Sequence, residues 1–165
     1  MAMKKYHMRR ADKEIRNKRE LLRLVSRRPF VTIAMCAKDD PYLVTVNHVY
    51  DARSNCLYFH SANRGKKSDY LEANPRVYAQ VVEDRGYVKG QCSYDYYTVN
   101  MTGKASRVDS VAEKRRALTL LMKKLEPGLS ADDARKKFID ESSFREVSIY
   151  RIDITSMTGK ARVPE

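Results

Sequence analysis

An α+β fold that is mainly β is predicted for this chain: six antiparallel strands forming a closed or partly closed barrel, with helices packed outside. Three observations predict it. The β-prone runs follow one another through short polar links, which favours antiparallel pairing of sequence neighbours. Helical stretches interrupt them too rarely for a doubly wound nucleotide fold, whose strands must alternate with crossover helices. The chain has 165 residues and 42% hydrophobic content, which suits one domain, 1–165, with a real core.

Taken in order, residues 1–28 form a basic N-terminal arm and helix. Met1 to Arg10 reads as a loose arm. Asp12 to Ser26 has helical spacing, with Ile15, Leu22 and Val25 on one side and Leu21 beside them, and Pro29 ends it. Phe30 to Ala37 is strand-like, with Val31, Ile33 and Met35 facing one way, and Lys38-Asp39-Asp40-Pro41 is a turn. Leu43 to Tyr50, rich in Val, Thr and Tyr, is predicted to pair with Cys56 to Ser61 across the polar cluster 51–55 as a hairpin. Lys66 to Ala73 forms a short helix, stopped at Asn74-Pro75 because proline disfavours helical geometry in the residue before it.

Arg76 to Glu83 is the fourth strand, followed by a charged loop from Asp84 to Gly90. Gln91 to Arg107 is a long polar-aromatic strand: Tyr94, Tyr96, Thr98 and Asn100 share one face, and Tyr97, Val99 and Met101 the other. Gly103 marks a bulge or a close backbone approach. Ser110 with Glu113 is a capping box opening a helix whose stripe is Val111, Leu118, Leu121, Met122 and Leu125, and Pro127-Gly128 closes it. Ser130 to Asp133 opens a shorter helix that buries Ala134 and Phe138, and Arg145 to Met157 is the sixth strand.

Charge and composition narrow the function classes. The net charge of +12 invites a nucleic-acid reading, but residues 1–28 hold eleven Lys or Arg against three acids, leaving +4 to the other 137 residues. The excess reads as a solvated helix face, so nucleic acid is not the expected partner; a polyanion-binding module using this helix is kept as an alternative. No apolar run approaches the ~18–20 residues that cross a bilayer, and the charged N-terminus lacks an apolar signal core, so no membrane role is expected. Cys36, Cys56 and Cys92 are an odd, widely spaced set, read as free thiols in a reducing cytoplasm, with Cys36 and Cys92 as small core residues.

The chemistry concentrates between Leu43 and Leu71. Arg64, Lys66 and Lys67 sit where a helix begins, beside the end of a strand. A helix start offers free backbone N–H groups and a partial positive charge, so this is a phosphate site in outline. It is not a Walker loop, because His60 stands where that motif needs glycine. His48, Cys56 and His60 do not form a zinc pattern, and no metal is expected.

The ordered set Val46-Asn47-His48-Val49-Tyr50, Leu57-Tyr58-Phe59-His60-Ser61, Gly65-Lys66-Lys67 and Asn74-Pro75-Arg76-Val77 resembles the FMN-binding split barrels of the pyridoxamine 5′-phosphate oxidase-like superfamily, and more closely the nitroimidazole-resistance group. Arg9-Arg10 with Asp12, Gly103-Lys104-Ala105, Ile152-Asp153-Ile154 and Thr158-Gly159-Lys160 extend the likeness over nearly the whole chain. Thr45 stands where the group often has proline, and His48 where it often has an aromatic or hydrophobic residue. The resemblance implies a homodimer with two FMN sites between subunits, acting on a small molecule, with reduction of 5-nitroimidazole-type nitro compounds as the activity. Other members bind haem or deazaflavin, so a non-catalytic flavin or haem carrier or sensor is the alternative.

Under that resemblance, Val46, Asn47, His48 and Val49 on one strand and Phe59, His60 and Ser61 on the next would contact the flavin through backbone groups, the Asn47 amide and the Ser61 hydroxyl. Arg64, Lys66 and Lys67 would hold its phosphate. His60 is the proposed catalytic residue, as proton donor or substrate contact, with a structural role as the competing reading. Tyr94, Tyr96 and Tyr97 would stack on a partner subunit's flavin, Tyr96 foremost, or form a dimer seam.

Overall fold

The computed structural model describes residues 8–138 and 141–163. Seven strands form one antiparallel, unclosed sheet in the order β2-β1-β5-β6-β7-β4-β3. They are β1 (Phe30–Ala37), β2 (Asp40–Asn47), β3 (Val49–Asp51), β4 (Cys56–Ala62), β5 (Arg76–Val88), β6 (Ser93–Arg107) and β7 (Val147–Arg162). The helices are α1 (Lys18–Arg27), α2 (Lys66–Ala73), α3 (Val111–Leu125), α4 (Ala131–Phe138) and α5 (Glu141–Glu146). The mainly β split-barrel class is as predicted, with seven strands in place of six. No described helix is long and apolar enough to cross a membrane.

The extra strand comes from dividing Leu43–Tyr50, and the division corrects the predicted hairpin. β2 pairs with β1, from Phe30 opposite Asn47 to Ala37 opposite Asp40. The two-residue turn between them has positive φ at both Lys38 (48°) and Asp39 (68°), the geometry that matches strand twist. Only β3 pairs with β4, through Val49–Tyr58, Tyr50–Leu57 and Asp51–Cys56. β2 and β3 are therefore opposite edges of the sheet joined by the single residue His48. The chain itself bridges the split at that point.

The barrel interior is filled by Val31, Ile33, Met35, Leu57, Phe59, Val77, Ala79, Val81, Val99, Met101 and Ile152, and α1 caps it with Leu21, Leu24 and Val25. The Asn17 side chain accepts from the Arg19 N–H and starts α1 at Lys18, six residues later than predicted. Ile15, ahead of that cap, is buried with the core. A second cluster lies outside the barrel, where Ala117, Leu118 and Leu121 of α3 cover Val49, Tyr58 and Ile149.

Other predicted elements move modestly. β5 runs on to Val88 across a register shift between Asp84 and Tyr87, absorbing most of the predicted loop. β7 starts two residues later than predicted and runs five further, and α5 takes the residues before it. Ser110 Oγ accepts from Glu113 N at 3.3 Å, but the Glu113 carboxylate is used by Tyr58 and Arg151, so only half the capping box forms. Val111 is exposed rather than part of the buried stripe. Cys36 and Cys92 are exposed, not core, and Cys92 sits in the β5–β6 turn with φ 47°. Residues 1–7 of the predicted arm, and the side chains of Ala134 and Phe138, lie outside what is described.

Gly103 behaves as read. The β6–β7 register shifts between Thr102 and Gly103, and a Cβ there would lie 2.5 Å from the Asp153 carbonyl oxygen and 2.8 Å from Ile152 Cγ2. Since the nearest atom is backbone, Gly103→Ala is expected to cost about 2 kcal/mol in a urea-unfolding titration. Gly128→Ala, whose Cβ would meet nothing within 4 Å, is the matched control and is expected to change little.

Candidate functional site

The first turn of α2 straddles the split. Gly65, at φ 141°, lets the chain leave β4 and turn into the helix. Lys66 Nζ then lies 4.9 Å from the Tyr42 ring on β2 and 5.2 Å from the Tyr70 ring, while Lys67 Nζ lies 5.6 Å from the Phe59 ring on β4. Tyr42 and Tyr70 pack 5.2 Å apart, and Tyr70 donates to Asp40. One cation thus reaches toward each lip of the opening.

Arg64, Lys66 and Lys67 have no acidic partner among the described residues. Desolvation pulls the Lys67 pKa down, as expected of a cation lacking an anion beside it. Ser68, in the same helical turn, is 3% exposed and its Oγ has no hydrogen-bond partner. Unpaired cations, free helix N–H groups and an unsatisfied hydroxyl together fit a phosphate. Ser68, Tyr42 and Tyr70 were not singled out from sequence. The Lys-Lys-Ser-Asp run at a helix start was the one available signal for Ser68.

The remaining predicted residues divide between the two sides of the sheet. Val46 and Phe59 pack in or against the barrel core, and Ser61 follows Phe59 on that side, 8% exposed. Val49 lies in the outer cluster under α3 with Tyr58, and His60 follows Tyr58 on that face. Asn47 donates from its amide to the Pro29 carbonyl at 3.5 Å. Because β2 is an edge strand, alternate backbone groups of Val46 and its neighbours point into the split without a strand partner.

The two histidines differ sharply. His48 is fully buried; its Nε2 sits 2.9 Å from the Val25 carbonyl and 3.5 Å from Lys124 Nζ. Burial, then Lys124, pushes its pKa down to about 4, so it is a neutral joint between α1, α3 and the barrel. His60 is exposed, and partial burial followed by the Lys67 charge lowers its pKa below the ordinary value. It is therefore mainly neutral at pH 7, a hydrogen-bonding group whose protonated fraction rises when an anion offsets Lys67.

Tyr96 is remote. It pairs with Arg162 on β7, whereas His60 pairs with Ile149 on the same strand. Those positions are about 40 Å apart along the strand at ~3.3 Å per residue. Within one chain Tyr96 is not brought to the α2 site.

The sequence profile of the pyridoxamine 5′-phosphate oxidase family matches residues 17–161. No curated protein matches the chain. Among solved structures, a candidate 5-nitroimidazole antibiotic resistance protein from Bacteroides thetaiotaomicron shares 22% identity at TM-score 0.76, over 90% of this chain and 86% of that one. A FAD-binding protein from Mesorhizobium loti shares 20% identity at TM-score 0.63, over 89% and 96%. A FAD- and haem-binding protein from Mycobacterium smegmatis shares 14% identity at TM-score 0.76, over 92% and 74%. At these identities each likeness is one of fold.

Proposed function

The chain belongs to the pyridoxamine 5′-phosphate oxidase family, and from that premise we propose that it is a dimeric flavoprotein oxidoreductase holding FMN at the split between β2 and β4. The observation that carries this is the entry into α2, where Arg64, just before the helix, and Lys66 and Lys67 in its first turn stand without acids beside the unsatisfied Ser68 hydroxyl. When bound, a flavin supplies the electron or hydride transfer. This chain's part is to neutralise the phosphate at α2, to offer the free backbone edge of β2 to the ring, and to keep His60 within reach of the opening. His60 would donate a hydrogen bond or a proton to a small nitroaromatic substrate, of which a 5-nitroimidazole is the proposed representative. The likeness to a FAD- and haem-binding fold supports a second reading, a haem carrier. His60 would then be the axial ligand, since Nε2 of His48 is already engaged with Val25.

A second copy of the chain fits the outer face of the sheet. Leu43 (64% exposed), Tyr78 (49%) and Val82 (49%) stand there around the polar pairs Thr32–Thr45 and Gln80–Asn100. Such an apolar, ridged strand surface supports a symmetric dimer. β6 also carries Tyr96, so the partner could present its own Tyr96 to this chain's flavin.

Light scattering after gel filtration, with the visible spectrum recorded on the same peak, tests both parts. A dimer that takes up added FMN and turns yellow is expected. A colourless monomer that ignores FMN overturns the reading, and a Soret band transfers it to haem.

A further inference from the structure

We propose that the exposed face of α1 is a binding surface for the phosphate backbone of nucleic acid, independent of the flavin site. Arg19, Arg23 and Arg27 recur at every fourth position, so their side chains rise in one row spanning about 12 Å. All three are exposed. Arg19 and Arg23 have no acidic partner among the described residues. Like charges at this spacing weaken a helix, and Glu20, the one acid in α1, forms no ion pair with Arg19 or Arg23 among the described residues.

The row continues into a second cationic group. Arg27, Arg28 and Arg85 all meet the single buried carboxylate of Glu83, at 3.5 Å for Arg28 and 3.4 Å for Arg85, leaving two guanidinium charges in excess. Lys124 joins the same end by donating to the Arg28 carbonyl at 2.6 Å.

The side-chain chemistry selects the partner. Guanidinium forks pair with phosphate oxygens two at a time, which suits a strand of regularly spaced phosphates better than a diffuse acidic surface. A membrane is disfavoured because the helix has no apolar face left to insert: Leu21, Leu24 and Val25 are already buried in the barrel. The sequence reading favoured solvent for these charges and kept polyanion binding as the alternative; the in-line placement of Arg27 with the unpaired Arg19 and Arg23 on a folded helix is what favours the alternative.

Fluorescence anisotropy of a labelled single-stranded oligodeoxythymidylate, titrated with the full chain over a range of salt, tests the proposal. Three phosphate contacts give a log–log salt slope of about −2, and Arg19→Ala with Arg23→Ala is expected to bring it to about −0.7. Arg19→Lys with Arg23→Lys keeps the charge and is expected to keep most of the slope, while FMN affinity is unchanged in both variants. An unaltered slope in the alanine variant overturns the proposal. So does displacement of the oligonucleotide by polyglutamate or phosphatidylglycerol vesicles at matched charge, which would mark an indifferent polyanion surface.

Discussion

The double substitution Lys66→Ala, Lys67→Ala is expected to weaken FMN binding roughly 150-fold while leaving riboflavin binding unchanged. Riboflavin carries the same ring and ribityl chain without the phosphate, so the comparison isolates the first turn of α2. A hydrogen bond to a charged group contributes about 1.5–3 kcal/mol, so losing two costs about 3 kcal/mol, or roughly 150-fold. The folded state should tolerate the change. Neither lysine has an acidic partner among the described residues, and their ring contacts, Tyr42 and Tyr70 for one and Phe59 for the other, are worth about 0.5–1 kcal/mol each. Flavin fluorescence quenching with the two ligands reads the outcome directly. Equal losses for FMN and riboflavin would mean that the variant had disturbed the cleft rather than a phosphate contact. No loss for FMN would move its phosphate away from α2.

What sequence could reveal of this site follows from which forces are local. α2 was legible to the residue because both its ends are set by backbone chemistry: Gly65 supplies an unusual φ, and Pro75 forbids helix in the residue before it. Gly103 was legible because a glycine inside a strand of larger residues needs a steric reason, and the Asp153 carbonyl provides one. The pairing of Leu43–Tyr50 was not legible in the same way. Val, Thr and Tyr declare a strand without naming its neighbour, and His48 does not look like a break. The Lys38-Asp39 turn was recognised, but its consequence, a β1–β2 hairpin that sends β2 to the opposite edge from β3, depends on the whole barrel. The same limit applies to the site. The cations at the start of α2 could be read from their spacing. That Val46 and Phe59 face the core while Val49 and His60 face outward follows from a register that no local pattern contains. Tyr96 was assigned to a partner subunit's flavin by resemblance, and one chain shows only that it sits on β6 opposite Arg162, far along β7 from the position facing His60.

Acid should reveal the joint between the two edge strands. His48 is buried and neutral, held by the Val25 and Pro29 carbonyls, with Nδ1 lacking a partner and the Lys124 ammonium alongside. Its pKa is near 4 in the fold, against about 6.5 in an unfolded chain. Below pH 6.5 the unfolded chain therefore binds a proton that the folded one refuses. This contribution to stability is complete above about pH 7 and is lost as the pH falls toward 4. Linkage gives a loss of about 2 kcal/mol between pH 7 and pH 5 from this one group. The window separates it from the carboxylates: Glu83, Asp51 and Glu113 are all held below their ordinary values, so their losses begin at lower pH. His48→Gln can still donate to Val25 but does not titrate. Its stability at pH 7 should be lower than the parent's, while its change from pH 7 to pH 5 should nearly vanish in urea titrations. A variant that loses as much as the parent over that interval would place the acid sensitivity elsewhere and free His48 for contact with a ligand. The expected result instead fixes His48 as the buried pin on which the split is hinged, leaving His60 as the histidine available to chemistry at its mouth.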